Sequence, residues 1–337
     1  MIQTNSFPAL ACAGFLCAVA GCGSEVVSPI TTGSGGSSSG SAGVASGGGG
    51  PTDATTLANS GPGSVQSIAV DATDVYWTTR TALWKVAKDG GTLTPITTGA
   101  MGYWSVIADS TNVYWLEEGG ATPGLHKMPA GGSTSTVLDP VVDSRSIAVD
   151  ATSVYWASYD GTNASIMKVP IGGGTPTTLA TGLRIPQFVT VDTVNVYWND
   201  MQANTINSVP IAGGIVGTLD ADEGTTVMSI AARKGWVYWA TMVSPGGIAE
   251  VPAGGGSLKV FATTKGAEYF AIDDYDVYWT DGLGGIERMQ IGGGTVSTVV
   301  YFGILSNGNA SCIAVDDTDV YWGGMIDGSI QKAPKAP

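Results

Sequence analysis

Basic and imidazole groups are scarce in this 337-residue chain. It has 14 lysines and arginines together and a single histidine, His126. Against 28 aspartates and glutamates, this leaves a formal net charge of −14. The shortage excludes a nucleic-acid partner, because phosphate backbones are held by clustered Lys and Arg. One histidine also excludes a histidine-rich metal centre. Serine–histidine–aspartate catalysis would have to use His126, and no Gly-x-Ser-x-Gly elbow accompanies it. His126 stands in Leu125-His126-Lys127-Met128 and reads as a peripheral strand residue. Charged side chains of both signs reach only 12 %, about half the usual share. The acidity itself reads as a solubility feature.

Cysteine and long apolar runs are scarce too. Cys12, Cys17 and Cys22 lie near the N-terminus and Cys312 is alone far downstream, so the four make no disulfide framework. Cys312 precedes an apolar strand and is expected to be buried and inert. Phe7 to Gly21 is too short to span a bilayer as a stable helix and fits the apolar region of an export signal. Met1 to Ser6 has no Lys or Arg, where export signals usually carry one.

That run ends in Val19-Ala20-Gly21-Cys22, which resembles the lipobox of bacterial lipoproteins. The resemblance implies a signal peptide over 1–21, lipid attachment at Cys22 and a membrane reached through that lipid. Gly23 follows where an inner-membrane retention signal would have aspartate, which implies the outer membrane, with the protein periplasmic or surface-facing. From 22 to 52 the chain is Gly/Ser-rich, with Gly47-Gly48-Gly49-Gly50 near its end. Such a segment cannot bury enough apolar surface to fold. It is a flexible tether with a reach on the order of 30 Å for about 30 residues.

What the chain has in plenty is repetition. Ser67-Ile68-Ala69-Val70-Asp71-Ala72-Thr73-Asp74-Val75-Tyr76-Trp77 returns in related form ending at Trp115, Trp156, Trp198, Trp239, Trp279 and Trp322, at intervals of 38 to 43 residues. A period of this size marks a repeat architecture. Each repeat carries four strand signals. The first is apolar with a small centre, as in Ile147-Ala148-Val149, and would suit a crowded innermost strand. An aspartate closes it in six repeats, and the repeated aspartates lack the spacing of a calcium loop, so they read as turn caps. The fifth repeat has Arg233-Lys234-Gly235-Trp236 instead, where Gly235 can supply the turn. The second strand is Val-Tyr-Trp throughout. Its two large rings face opposite ways, so each sheet must be packed on both faces. A third strand ending near Pro, a glycine turn and a short Thr-rich fourth strand complete the unit, as in Ile166 to Pro170, Gly172-Gly173-Gly174 and Thr177 to Ala180. The glycine turns sit between strands, so they are not phosphate loops.

Seven four-stranded units predict an all-β fold, a seven-bladed β-propeller over 53–337. The last repeat stops after its third strand, and Thr55-Thr56-Leu57-Ala58 precedes the first. An N-terminal strand is therefore expected to close the last blade. The order Ile-Ala-Val-Asp, Val-Tyr-Trp, Ile-x-Lys-Val-Pro, Gly-Gly looks like the YWTD (LDL-receptor class B) repeat, most fully at Tyr278-Trp279-Thr280-Asp281. The resemblance covers Ala54 to Pro334 and implies a fold, with seven units where that family typically has six.

Function is sought in what varies between repeats. Gln66, Trp104, Arg145, Gln187, Met228 and Glu268 occupy one equivalent position, expected at the mouth of the central channel. With Tyr269 and Asp281 they form a candidate binding face. The resulting expectation is a monomeric, envelope-tethered lipoprotein that binds a protein, peptide or glycan without catalysis, metal or cofactor. The alternative is a propeller lyase or hydrolase using carboxylates at the channel mouth, with Glu268 and Asp281 as candidates.

Overall fold

The computed structural model describes residues 54–335 apart from 61–62, 141–143, 145, 160–162, 222–226, 242–246, 264–266, 282–283 and 303–309. The signal, Cys22 and the tether lie outside the described residues. The repeat is realised as seven four-stranded antiparallel sheets, and the protein is a seven-bladed β-propeller. In the first blade the strands are Ser67–Val70, Asp74–Thr78, Ala82–Ala87 and Thr94–Thr98, hydrogen-bonded in chain order. The inner strand of each blade lies beside those of the blades before and after it, and that of the last lies beside that of the first. Thr55–Asn59 pairs antiparallel with Ser329–Pro334 and is the outer strand of the seventh blade. The ring is thus closed by one strand from the beginning of the propeller and three from its end.

The Val-Tyr-Trp strand supplies the core. All seven of its tryptophans and all seven of its tyrosines are buried. Each tyrosine reaches the cluster that holds the tryptophan of the next blade: Tyr76 with Trp115, Tyr114 with Trp156, Tyr155 with Trp198, and so on to Tyr278 with Trp322. Each ring of this size buries on the order of 200 Å², about 5 kcal/mol of transfer free energy. One sequence motif therefore builds every interface between blades.

The aspartate after the inner strand does more than cap a turn. Oδ1 of Asp71 accepts the N–H groups of Thr73 (2.7 Å) and Asp74 (2.8 Å), while Oδ2 accepts the Tyr76 hydroxyl (2.8 Å). The Asp–Tyr bond recurs at 3.0 Å for Asp109–Tyr114, 2.7 Å for Asp150–Tyr155, 2.8 Å for Asp192–Tyr197, 3.2 Å for Asp273–Tyr278 and 2.8 Å for Asp316–Tyr321. A buried phenol needs a partner, and the turn carboxylate is that partner. In the fifth blade Lys234 (φ 49°) and Gly235 (φ 79°) form a two-residue hairpin with both φ positive, the geometry whose twist suits adjoining strands. No aspartate is there, and the Tyr238 hydroxyl makes no hydrogen bond of ordinary geometry, with Glu250 as its charged neighbour.

Side chains also stitch the inner strands together. The Ser67 hydroxyl accepts the N–H of Val106 (3.2 Å), Ser146 that of Val189 (3.1 Å) and Thr190 that of Ala232 (3.3 Å). Each bond runs from one blade to the next. They satisfy donors on an inner edge that no strand covers.

Candidate functional site

Loops between second and third strands, and those leading into each inner strand, open at one end of the ring. The candidate residues gather there because of how the inner strands begin. In four blades the register with the second strand slips at this point, between Tyr103 and Val106, Pro186 and Val189, Val227 and Ser229, and Ala310 and Cys312. The residues left unpaired include Trp104, Gln187, Met228 and Ser311. A bulge bends the strand and re-aims the side chain it frees. In the other three blades the inner strand starts later, so Gln66 and Glu268 fall just ahead of it. Arg145, at the same position of the third blade, lies outside the described residues. Ser311 completes the series and carries no signal in the sequence beyond its position.

All five described members predicted from sequence, Gln66, Trp104, Gln187, Met228 and Glu268, are half-buried. Gln66 donates from Nε2 to the Ser64 carbonyl (3.3 Å). Trp104 donates from Nε1 to Glu118 Oε2 at 2.7 Å, which fixes the indole at the rim of the second blade. The bulge at Gln187 and Phe188 is held by the buried Asn199, whose Oδ1 accepts the Phe188 N–H at 2.9 Å. Ser311 is buried, and its hydroxyl bonds the Val65 carbonyl at 2.7 Å.

The sixth blade holds the two candidate carboxylates and Tyr269. Burial pushes the Glu268 carboxyl above its ordinary value. Tyr269 is pushed up to about 12, by burial first and then by the charge of Glu268. Cys312 is buried as expected, and burial raises its thiol to about 12, so it is not a thiolate near neutrality. Asp281 is engaged in its own hairpin, where Oδ1 accepts the Gly285 N–H at 2.8 Å. Asp200 in the fourth blade ties down the segment that leads into the inner strand, accepting the N–H groups of Arg184 (2.8 Å) and Ile185 (3.0 Å). Carboxylates after the Val-Tyr-Trp strand thus tie down loops. Among the described residues, no three His, Cys, Asp or Glu side chains converge as a metal site requires.

His126 corrects the sequence reading. It belongs to the third strand, Gly124–Pro129, but is 2 % exposed rather than peripheral. Its ring stacks on Trp115, with centroids 5.1 Å apart and planes 10° from parallel. Nε2 lies 2.6 Å from the Thr122 carbonyl and 3.7 Å from Glu117 Oε2, while Nδ1 has no partner. Burial lowers the imidazole pKa and raises that of Glu117. The imidazole is therefore neutral, with Nε2–H donating to Thr122. His126 shares a face with Met128, which packs between the first two blades. Because both faces of the sheet are covered, alternation along the strand could not show which side was wet.

No family model matches the chain, and no curated protein matches it. Solved structures do resemble it in fold. A catalytically inactive variant of virginiamycin B lyase from Staphylococcus aureus, solved with quinupristin, superposes with a TM-score of 0.67 at 15 % identity, over 84 % of this chain and 99 % of that one. The extracellular domain of a protein assigned as a hybrid two-component system, from B. thetaiotaomicron, gives 0.64 at 12 % identity, over 84 % of this chain and 40 % of that one. A computationally designed protein, Ika8, gives 0.57 at 12 % identity, over 83 % of this chain and 98 % of that one. At such identities the likeness establishes the β-propeller and nothing finer.

Proposed function

We propose that this chain is an envelope-tethered lipoprotein, anchored through Cys22, whose propeller binds a protein, peptide or glycan at the end where its inner strands begin. The observation that carries the reading is the bulged start of the inner strands. Four blades break their hydrogen-bond ladder at one equivalent position, and the side chains freed there differ in kind: Trp104, Gln187, Met228 and Ser311. Varied side chains at fixed positions on a rigid ring suit recognition. The test is a pull-down from envelope extract with the wild type and the Trp104→Ala/Tyr269→Ala variant. Capture of a partner by the wild type alone supports the proposal, and equal capture by both overturns it. The lipid is tested separately, by metabolic palmitate labelling that Cys22→Ala should abolish.

The second reading, a lyase or hydrolase, is favoured by the likeness to a lyase and by the raised carboxyl of Glu268. Two observations weigh against it. Asp281 is committed to its hairpin. The inactive staphylococcal variant carries a histidine-to-alanine change, whereas the single histidine here is shut between blades. Incubation with quinupristin should leave its chromatographic profile unchanged, and conversion would revive the enzymatic reading.

A further inference from the structure

The end of the ring opposite the candidate binding face carries its own anomaly. There the turn after the inner strand has threonine in four blades, Thr73, Thr111, Thr152 and Thr318, and each hydroxyl bonds its turn aspartate. The fourth and sixth blades have given up that bond for Val194 and Tyr275, which are 60 % and 74 % exposed. In the glycine turn after the third strand, five blades have Thr or Ser where the fourth has Ile215, 90 % exposed. The next position holds Val216, Leu258 and Val296, all exposed, in the fourth, fifth and sixth blades.

These six side chains occupy one sector. Within a blade the two turns are joined, since Ile211 N–H bonds the Val194 carbonyl (2.9 Å) and Ile291 N–H that of Tyr275 (2.7 Å). Between blades, Lys234 of the fifth lies over the Tyr275 ring of the sixth, 5.3 Å from its centroid, and bonds the Asp274 carbonyl. Packing does not require Val194, Tyr275 or Ile215, because other blades fold with Thr or Ser at the same places. At the position of Val216, Leu258 and Val296 the second blade folds with Thr134, while Leu93 of the first is partly buried against a core cluster. Exposed apolar clusters of this kind mark an interaction surface.

The chain's own path identifies what covers it. Thr55 pairs with Lys332 and Asn59 with Ser329, so the closing strand enters the ring from this same end, in the blade next to the patch. The segment that precedes Thr55 in the sequence is therefore joined to the propeller at this end. We infer that the apolar turns of the fourth to sixth blades rest on the lipid surface that holds the Cys22 anchor, so that the opposite, bulged end faces away from the membrane. This rests on the lipid anchor proposed above. Apolar knobs flanked by lysines Lys234 and Lys259 suit the headgroup boundary, where long basic side chains reach back to water.

The test uses the full chain with phosphatidylethanolamine–phosphatidylglycerol vesicles. A bimane label at Leu258→Cys should be quenched by doxyl lipids about fivefold more than one at Met101→Cys on the opposite end. Equal quenching, or stronger quenching at Met101→Cys, overturns the inference. The variant Val194→Thr/Ile215→Thr/Leu258→Thr/Tyr275→Thr uses a residue that turns of other blades tolerate. In a Cys22→Ala background it should lower vesicle partitioning about tenfold against its Cys22→Ala parent. Unchanged partitioning also overturns the inference. So does a dimer in the parent that the fourfold variant abolishes, which would assign the patch to a second copy. Loss of the lipid reading alone appears separately, as palmitate labelling that Cys22→Ala does not alter.

Discussion

Tyr321 of the last blade and Trp77 of the first share one buried cluster with Leu57 and Ile330, so the contact that joins every blade to its successor also joins the two ends of the ring. The closing contact differs from the other six in one respect. Its sheet is completed by a strand from the far end of the propeller sequence, and that strand supplies Leu57 to the cluster.

Removing the clasp should therefore loosen the whole ring. A chain starting at Ser64 loses the Thr55–Asn59 ladder, and Leu57→Ala loses only the buried side chain. We expect Leu57→Ala to lower stability by about 2 kcal/mol, at the low end for buried leucines because this one keeps slight exposure. The truncation should lose more. Denaturant unfolding checks both, and an unchanged midpoint for the truncated chain would mean the ring does not depend on its closure.

The Asp–Tyr bonds set up a contrast between blades. Tyr155→Phe removes a 2.7 Å bond to Asp150 and should cost about 1 kcal/mol. Tyr238→Phe removes a buried hydroxyl that makes no hydrogen bond of ordinary geometry and has only Glu250, across the strand pair, as a charged neighbour. It should be neutral or stabilising. Thermal melting of the two variants decides, and equal losses would show that the hydroxyl of Tyr238 is satisfied in solution.

Acid should unfold the protein through its turn aspartates. Burial alone would raise the carboxyls of Asp71, Asp109, Asp150 and Asp316, but amide and tyrosine hydrogen bonds, with Lys88 at Asp316, outweigh it and hold them below the ordinary range. A depressed acid contributes fully above its unfolded value, about 3.9, and loses that contribution as pH falls through the folded value. Tm should therefore drop steeply below about pH 4. Glu268 has the opposite sign. Burial raises it, so its contribution is greatest below the unfolded value of about 4.3 and is lost as pH rises through the folded one. Glu268→Gln should accordingly gain in Tm on the wild type at about pH 8 and not at about pH 4. Scanning calorimetry across that range tests both limbs.

His126 gives a separate pH signature. Burial depresses its pKa, so its neutral form stabilises the fold above the unfolded value of about 6.5 and that contribution fades as pH falls. His126→Phe keeps a ring against Trp115 and removes the titration. Its Tm relative to the wild type should climb between about pH 7 and about pH 5, and a constant difference would show that the imidazole does not titrate against folding.

The sequence by itself determined the architecture. Tyr76 and Trp77, repeated at each blade, can be buried only between sheets packed on both faces, and Thr55 to Ala58 matches the strand the last repeat lacks. Both are statements about side-chain size and spacing, which the linear chain carries in full. The candidate ring was legible as a position but not as a geometry. Whether Trp104 or Gln187 leaves the ladder depends on register with a neighbouring strand, and register is settled by the sheet as a whole. The same holds for the Asp71–Tyr76 bond, for Asp281 turning back on its own hairpin, and for His126, which looked wet because alternation shows two faces without saying what covers each. Which turns carry Val194, Ile215 and Tyr275 could be read from the chain. That these turns share an end with the incoming strand at Thr55 is decided only by closure, since the ring alone brings the first strand beside the last.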